Sequence, residues 1–458
     1  MLGIVINSIV FLLSIILLFV RREYLMYLYA AMIPFYGVVT DVGLQITPPI
    51  LIGVVTALDL FVTKTRFPAV VVNYIIFAFS VSLFWSFNLP SIVKNFPPLR
   101  GEYRWIMQLI FFLLNYFPVL FVAKHLKTDQ QFLKLLRFVF GSAVLLVGLG
   151  VLQYFVYQST GVDLFPLNTF KPEYTETASF EAGKLKIFRV SSFGAGEPKN
   201  FAYTCVIIMT FLLSRSFFLP SFKVKYTPVI FAATLFVFLM TFSTQGYVIF
   251  GFNMLLIILF DIVSNKKITR RSMLFLSGVV ALAVYASTLP IVRLIFDLRV
   301  TQRLETGGVE DYNETINLML ADNPHHVLLG TGLGNVHLFS ADYIPPEFSF
   351  YMANTVFIAK SGYLRIISDL GLVGLFLFVM MFFKPTFKIF YQRFQTTDKL
   401  FKQIGLFLIC NTCILFCDYM LTSDGPAYLF FLLASVLALH KIGAKKLQPF
   451  FKNSPPPV

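Results

Sequence analysis

Charge is what this chain has least of. Asp, Glu, Lys and Arg make up only 13% of its 458 residues, where a soluble domain carries about 25%. That excludes a water-soluble globular protein. Cysteine is scarce as well, with four residues, and none falls in a polar segment, so no disulfide framework supports the loops. Cys205 lies in one apolar run, and Cys410, Cys413 and Cys417 share a face of another at helical spacing. No His or carboxylate partner for a metal accompanies them, and they read as small packing residues. No internal repeat of the kind found in many transporters is present. No basic stretch precedes the first apolar run and no small-residue cleavage site follows it. Arg21 and Arg22 come after it instead, the pattern of a retained first helix with its N-terminus outside.

What is abundant is apolar sequence. Hydrophobic residues make up 57% of the chain, including 55 Phe, in runs of about 17–25 residues, each long enough to cross about 30 Å of hydrocarbon. This pattern predicts an all-α polytopic membrane protein, a single membrane domain over 1–458 with about 12–13 transmembrane helices. The expected spans are 3–20, 24–40, 44–62, 69–87, 105–123, 133–157, 201–219, 227–243, 246–262, 273–290, 362–383, 403–420 and 425–440. With loops assigned alternately, one face collects most of the Lys and Arg, including the tail 441–458. By the positive-inside rule that face is cytoplasmic. The formal charge of +14 then follows from topology and does not call for a nucleic-acid partner.

Two large extracytoplasmic loops remain, at 159–200 and 290–361, with a shorter one at 88–104. The larger holds Arg293, Arg299 and Arg303, an acidic patch (Glu305, Glu310, Asp311, Glu314), Pro324-His325-His326 and the run GTGLGN, Gly330 to Asn335. Asp311 to Ala321 can form a short helix stopped by Asn323-Pro324. The glycine run is not a dinucleotide fingerprint, which needs a βαβ unit, and no GK[ST] follows for a P-loop. It reads as a tight turn, or as backbone N–H groups offered to an anion.

Positive-inside statistics disfavour arginine outside the membrane. Arg189 and Arg303 are therefore candidate anion ligands, since a guanidinium binds phosphate bidentately. Lipid headgroups or the acidic patch are the alternative partners. Arg293 and Arg299 lie in PIVRLIFDLRV, which also fits an interfacial helix. His325, His326 and His337 could supply a general base or cap a turn, and Glu197, Glu305, Glu310, Asp311 and Glu314 are further base candidates. Within the spans ionisable groups are few: Asp59 and Asp418 near helix ends, and Arg365 and Asp369 early in the return span.

Three places resemble the O-antigen ligase/Wzy-type polysaccharide polymerase superfamily. Arg189 followed by GAGEPKNFA, which includes Glu197 and Asn200, is similar to that family's approach to a span. Asn323-Pro324 followed by LLGTGLGNV is similar to its glycine motif. Lys360, Ser361, Gly371 and Gly374 match the ligase spacing, with Lys in place of His. LQITPPILIG near Leu44 is a weaker echo of an early span.

The resemblance implies glycosyl transfer on the outer face of the cytoplasmic membrane, without metal, nucleotide or other cofactor. The donor is a polyprenyl-diphosphate-linked oligosaccharide. Membrane lipids surround the enzyme, and a chain-length regulator and a flippase are its expected neighbours. Arg189, Arg303 and Lys360 would stabilise the departing diphosphate. Arg293, Arg299, His325, His326, Gly330, Gly332, Gly334, Asn335, Glu197, Asn200 and Ser361 would contribute to binding. A lysine is a poorer base than a histidine, which favours a polymerase extending lipid-linked repeat units over a ligase that transfers glycan to lipid A–core. A transporter or flippase is the competing reading from another class.

Overall fold

The computed structural model describes residues 2–41, 45–65, 67–88, 101–166, 179–182, 185–193, 197–266, 312–343, 359, 361–422 and 426–452, with isolated positions between 269 and 288. It is an all-α polytopic membrane protein. The helices before the larger loop are α1 (Leu2–Val20), α2 (Arg22–Met32), α3 (Pro48–Val62), α4 (Ala69–Ser86), α5 (Gly101–His125), α6 (Asp129–Thr160), α7 (Pro198–Phe218), α8 (Thr227–Met240) and α9 (Thr244–Asn265). Three short helices follow, α10 (Tyr312–Asp322), α11 (Pro324–Leu329) and α12 (Val336–Phe339). The chain ends in α13 (Gly362–Gln395), α14 (Lys399–Thr422) and α15 (Pro426–Lys452). Two small antiparallel hairpins pair β1 (Thr40–Asp41) with β2 (Gln45–Ile46) and β3 (Ser179–Ala182) with β4 (Leu185–Phe188).

Among the described residues nine helices are long and apolar enough to cross a membrane, and α3 and α8 are shorter apolar helices. The expected span at 24–40 contains the eleven-residue α2 and a 3₁₀ turn, Ile33–Phe35. The span expected at 273–290 lies largely outside the described residues.

Local sequence sets the helix boundaries. Proline opens α3, α7 and α8 in the first turn, where its missing N–H costs nothing. The Thr128 hydroxyl accepts from the Gln131 N–H at the start of α6, and Gly161, at φ 73°, closes it. Large side chains such as Leu12, Phe19, Phe155, Val248 and Phe376 stay exposed on the long helices, a pattern suited to lipid. The buried core runs without interruption from α2 through α7 to α15.

One end of the bundle is held by ion pairs. The nearly inaccessible Asp59 carboxylate meets Arg22 at 3.0 Å, Lys124 at 2.8 Å and His125 at 3.3 Å. Lys446 bridges Asp129 and Asp398, the latter at 2.6 Å, so the tail begins as the pinned last turns of α15. Burial alone would raise the Asp398 carboxyl, but Lys446 and the Phe401 and Leu400 N–H groups outweigh it and hold the pKa below the ordinary 3.8. Its folded-state pKa is the lower one. The stabilisation is therefore complete above the ordinary value and fades as the pH falls through it towards the folded value. Lys446→Met should leave two carboxylates facing each other and lower stability by about 1–3 kcal/mol, between the exposed and buried limits for ion pairs. Thermal unfolding of the protein in detergent checks this, and an unchanged midpoint would count against the bridge.

Candidate functional site

The opposite end is built around a broken helix. Gly371 has φ 69° and ψ −175° and divides α13 into two helical pieces at a kink. The glycine turn docks at this break. The Thr331 N–H donates to the Ser368 carbonyl at 2.9 Å and the Gly332 N–H to the Asp369 carbonyl at 2.8 Å. The Gly334 N–H donates to the Asp369 carboxylate at 3.2 Å, and the Leu333 N–H to the Ser82 hydroxyl of α4 at 3.0 Å. Asn335 closes the turn by donating to the Thr331 carbonyl at 3.1 Å. GTGLGN is thus a tight turn whose N–H groups satisfy carbonyls and a carboxylate of the broken helix, the device by which irregular backbone is tolerated at membrane depth. Three of its four N–H donors from Thr331 to Gly334 are committed to α13, so anion binding by the turn's own backbone is not what this arrangement favours.

The loop before the turn is equally fixed. Helix α10 ends at Asn323, whose side chain donates to the Met319 carbonyl at 3.0 Å and to the Tyr343 hydroxyl at 3.1 Å. His326 is buried, its Nδ1 lies 3.3 Å from the Gly330 carbonyl, and its ring packs on Trp85 and Phe339. Burial lowers its pKa below the ordinary 6.5, with the Gly330 hydrogen bond opposing and His325 assisting. His326 is therefore a turn cap. His325 is exposed against the Trp85 ring.

Beneath the turn lies a cavity of about 260 Å³ between α4, α5, α13, α14 and α15. Its walls combine aromatic rings, Tyr74, Phe112, Tyr116, Phe378 and Phe430 among them, with aliphatic side chains. Its charged groups are Arg365 and Asp369, one helical turn apart on the first piece of α13. The Arg365 side chain makes no hydrogen bond or ion pair among the described residues. Gln108, Asn115 and Tyr116 add polar groups from α5. Sequence reasoning placed Arg365 and Asp369 in a span without a role, and missed the α5 residues. The signal available for these was a polar stripe, Gln108 and Asn115 two turns apart, in an otherwise apolar helix.

The other expected site residues are distributed around this end. Arg189 is half-buried and its Nε donates to the Thr241 carbonyl at 2.9 Å between α8 and α9. The Val190 N–H donates to the Met240 carbonyl at 3.1 Å. The fully buried Gln153 of α6 accepts from the Ser191 and Ser192 N–H groups at 3.2 and 2.8 Å and donates to Asp163 at 2.7 Å. The backbone that carries Arg189 is thus clamped, but Arg189 does not line the cavity. Glu197 occupies the N-cap position of α7 without a side-chain capping bond, and the Asn200 carbonyl accepts from the Tyr36 hydroxyl at 3.2 Å. Ser361 is the N-cap residue of α13, with a buried hydroxyl that has no partner among the described residues. Arg293, Arg299, Arg303 and Lys360 lie outside the described residues, as do Glu305, Glu310 and Asp311. Among the described residues no three His, Cys, Asp or Glu side chains come together as a metal site requires. No protein-family model matches this chain, and no curated protein matches it either.

Proposed function

We propose that the protein polymerises polyprenyl-diphosphate-linked oligosaccharide repeat units by glycosyl transfer at the outer face of the cytoplasmic membrane, with its N-terminus outside and its C-terminus in the cytoplasm. The observation that carries this reading is Arg365, a guanidinium without a hydrogen bond or ion pair among the described residues, in a cavity whose walls combine aromatic rings with aliphatic side chains and a few polar groups. The reaction joins an acceptor hydroxyl oxygen to the anomeric carbon and breaks that carbon's bond to the diphosphate. The diphosphate leaves with the electron pair, and its growing negative charge is what a fixed cation in a low-dielectric site stabilises. Asp369, one turn away, is the carboxylate that would orient the acceptor hydroxyl or take its proton. Arg189, and Arg303 and Lys360 outside the described residues, belong to this reading as the further cations that the family resemblance implies. The resemblance of the Arg189, GTGLGN and Lys360–Gly374 stretches to the ligase/polymerase superfamily supports it. The ligase is the alternative within the class.

Transport is the second reading. Asp418 is fully buried between α7, α9 and α14 and accepts from Asn253 at 2.9 Å, and intramembrane carboxylates of this kind occur in transporters. Deleting the gene and running surface polysaccharide and lipid-linked glycans on a gel separates the readings. Loss of the polymer ladder, with single repeat units still reaching the surface, is expected. Long lipid-linked polymer that never reaches its acceptor would mean a ligase. Repeat units trapped on the cytoplasmic leaflet would mean a transporter.

A further inference from the structure

Tyr116 of α5 brings a buried hydroxyl to the cavity wall. The residue is only 1% exposed, lines the cavity, and its oxygen has no hydrogen-bond partner among the described residues. Its ring is fixed by Phe112 at 4.8 Å, Phe430 at 5.0 Å and Tyr74 at 6.2 Å between centroids. The ring is therefore packed among aromatic neighbours in the cavity wall. Asn115, next to it in sequence, uses its amide N–H on the Phe111 carbonyl at 2.8 Å, and Gln108 lines the cavity two turns nearer the glycine turn.

A buried hydroxyl without a partner costs free energy, so such a group calls for an explanation. The occupant that removes the cost must bring hydroxyls of its own. A prenyl chain would leave Tyr116 and Gln108 without partners. A pyranose ring has the required character: apolar C–H faces for the aromatic walls and hydroxyls for the amide and phenol groups. The volume of about 260 Å³ is below the usual range for drug-sized ligands, about 300–1,000 Å³, and suits one sugar ring rather than a whole repeat unit.

We infer that this part of the cavity binds the sugar ring next to the diphosphate, with Tyr116 hydrogen-bonded to one of its hydroxyls as a specificity-determining residue. The inference rests on the reading of Arg365 as the diphosphate ligand. A site built to hydrogen-bond a substrate hydroxyl discriminates strongly against analogues lacking it, so the hydroxyl of Tyr116 would help select the first sugar.

The test uses full-length protein in lipid nanodiscs and two probes. One is the lipid-linked glycan extracted from the deletion strain. The other is the same lipid with its sugars removed, leaving polyprenyl diphosphate. Tyr116→Phe should weaken binding of the glycan-bearing lipid about five- to tenfold, the effect of one hydrogen bond, and leave polyprenyl diphosphate binding unchanged. Its thermal midpoint should stay level or rise, because the variant removes a buried polar atom that lacks a partner, whereas a structural hydroxyl would lower the midpoint when lost. Equal weakening of both probes, no change in either, or wild-type protein binding both equally well would overturn the sugar assignment and leave the diphosphate reading intact. Wild-type protein that binds neither probe would overturn the diphosphate reading and this inference with it.

Discussion

Gly371→Ala should abolish polymer formation and lower stability by about 3–5 kcal/mol, a large share of the 5–15 kcal/mol typical of a folded protein. Two effects add. The backbone at φ 69°, ψ −175° lies in a region that is essentially glycine-only, at a cost of about 1–3 kcal/mol for any other residue. A Cβ at this position would also overlap the backbone of Leu328 and Leu329, and main-chain atoms cannot rotate away as a side chain can, which adds about 1–3 kcal/mol of overpacking. The damage is local to the junction between the glycine turn and α13, because Gly330 on the other side would collide with the Asp369 and Leu370 backbone in the same way. Gly148→Ala is the matched control. It lies in the exposed part of α6 with nothing within 4 Å of an added Cβ, and should gain up to about 1 kcal/mol of helix propensity. Thermal unfolding of both variants, together with the surface-polysaccharide ladder, checks the pair. A Gly371→Ala protein with wild-type stability would mean that the turn does not dock on a broken helix.

Arg365→Gln should reduce the rate of polymer formation by about 10²- to 10³-fold, the effect of removing one electrostatic contact of about 3 kcal/mol to a developing anion. Arg365→Lys keeps the charge but loses the planar fork and should fall between the two. The measurement is ladder formation in membranes supplied with extracted lipid-linked repeat units. Stability separates function from structure here. The Arg365 side chain forms no ion pair or hydrogen bond among the described residues, so neutralising it should leave the unfolding midpoint unchanged or raise it. Arg189 contrasts with it. Its Nε holds the Thr241 carbonyl, so Arg189→Ala should lose stability whether or not it loses activity. Full polymerisation by the stable Arg365→Gln protein would remove this residue from the mechanism and leave the cations of the larger loop to carry it.

The membrane-spanning helices were legible because hydropathy alone determines which segments can cross a bilayer, and α1, α4, α5, α6, α7, α9, α13, α14 and α15 follow the apolar runs closely. The helix stopped by Asn323-Pro324 and the turn at GTGLGN were legible too, since proline and glycine act through the local backbone. Among the described residues, charged groups from chain segments far apart in sequence meet as ion pairs, Arg22 and Lys124 on Asp59 and Lys446 on Asp398. The shortness of α2 and the break inside α13 were not legible. An apolar run of constant hydropathy says nothing about where the helix yields, and Gly371 breaks α13 only because the turn supplies donors and leaves no room for a Cβ.

The sequence by itself determined the class of the protein, an apolar helical bundle with its charge sorted to two ends, because hydropathy, chain reach and turn chemistry are local properties. Only the tertiary structure decided which polar groups share a cavity. Arg365 and Asp369 of α13 share a cavity with Tyr116 and Gln108 of α5, more than two hundred residues earlier in the chain, and with Tyr419 of α14, and Arg189 is tied instead to the junction of α8 and α9. Such proximity depends on helix packing and rotation, and no short stretch of sequence encodes either one.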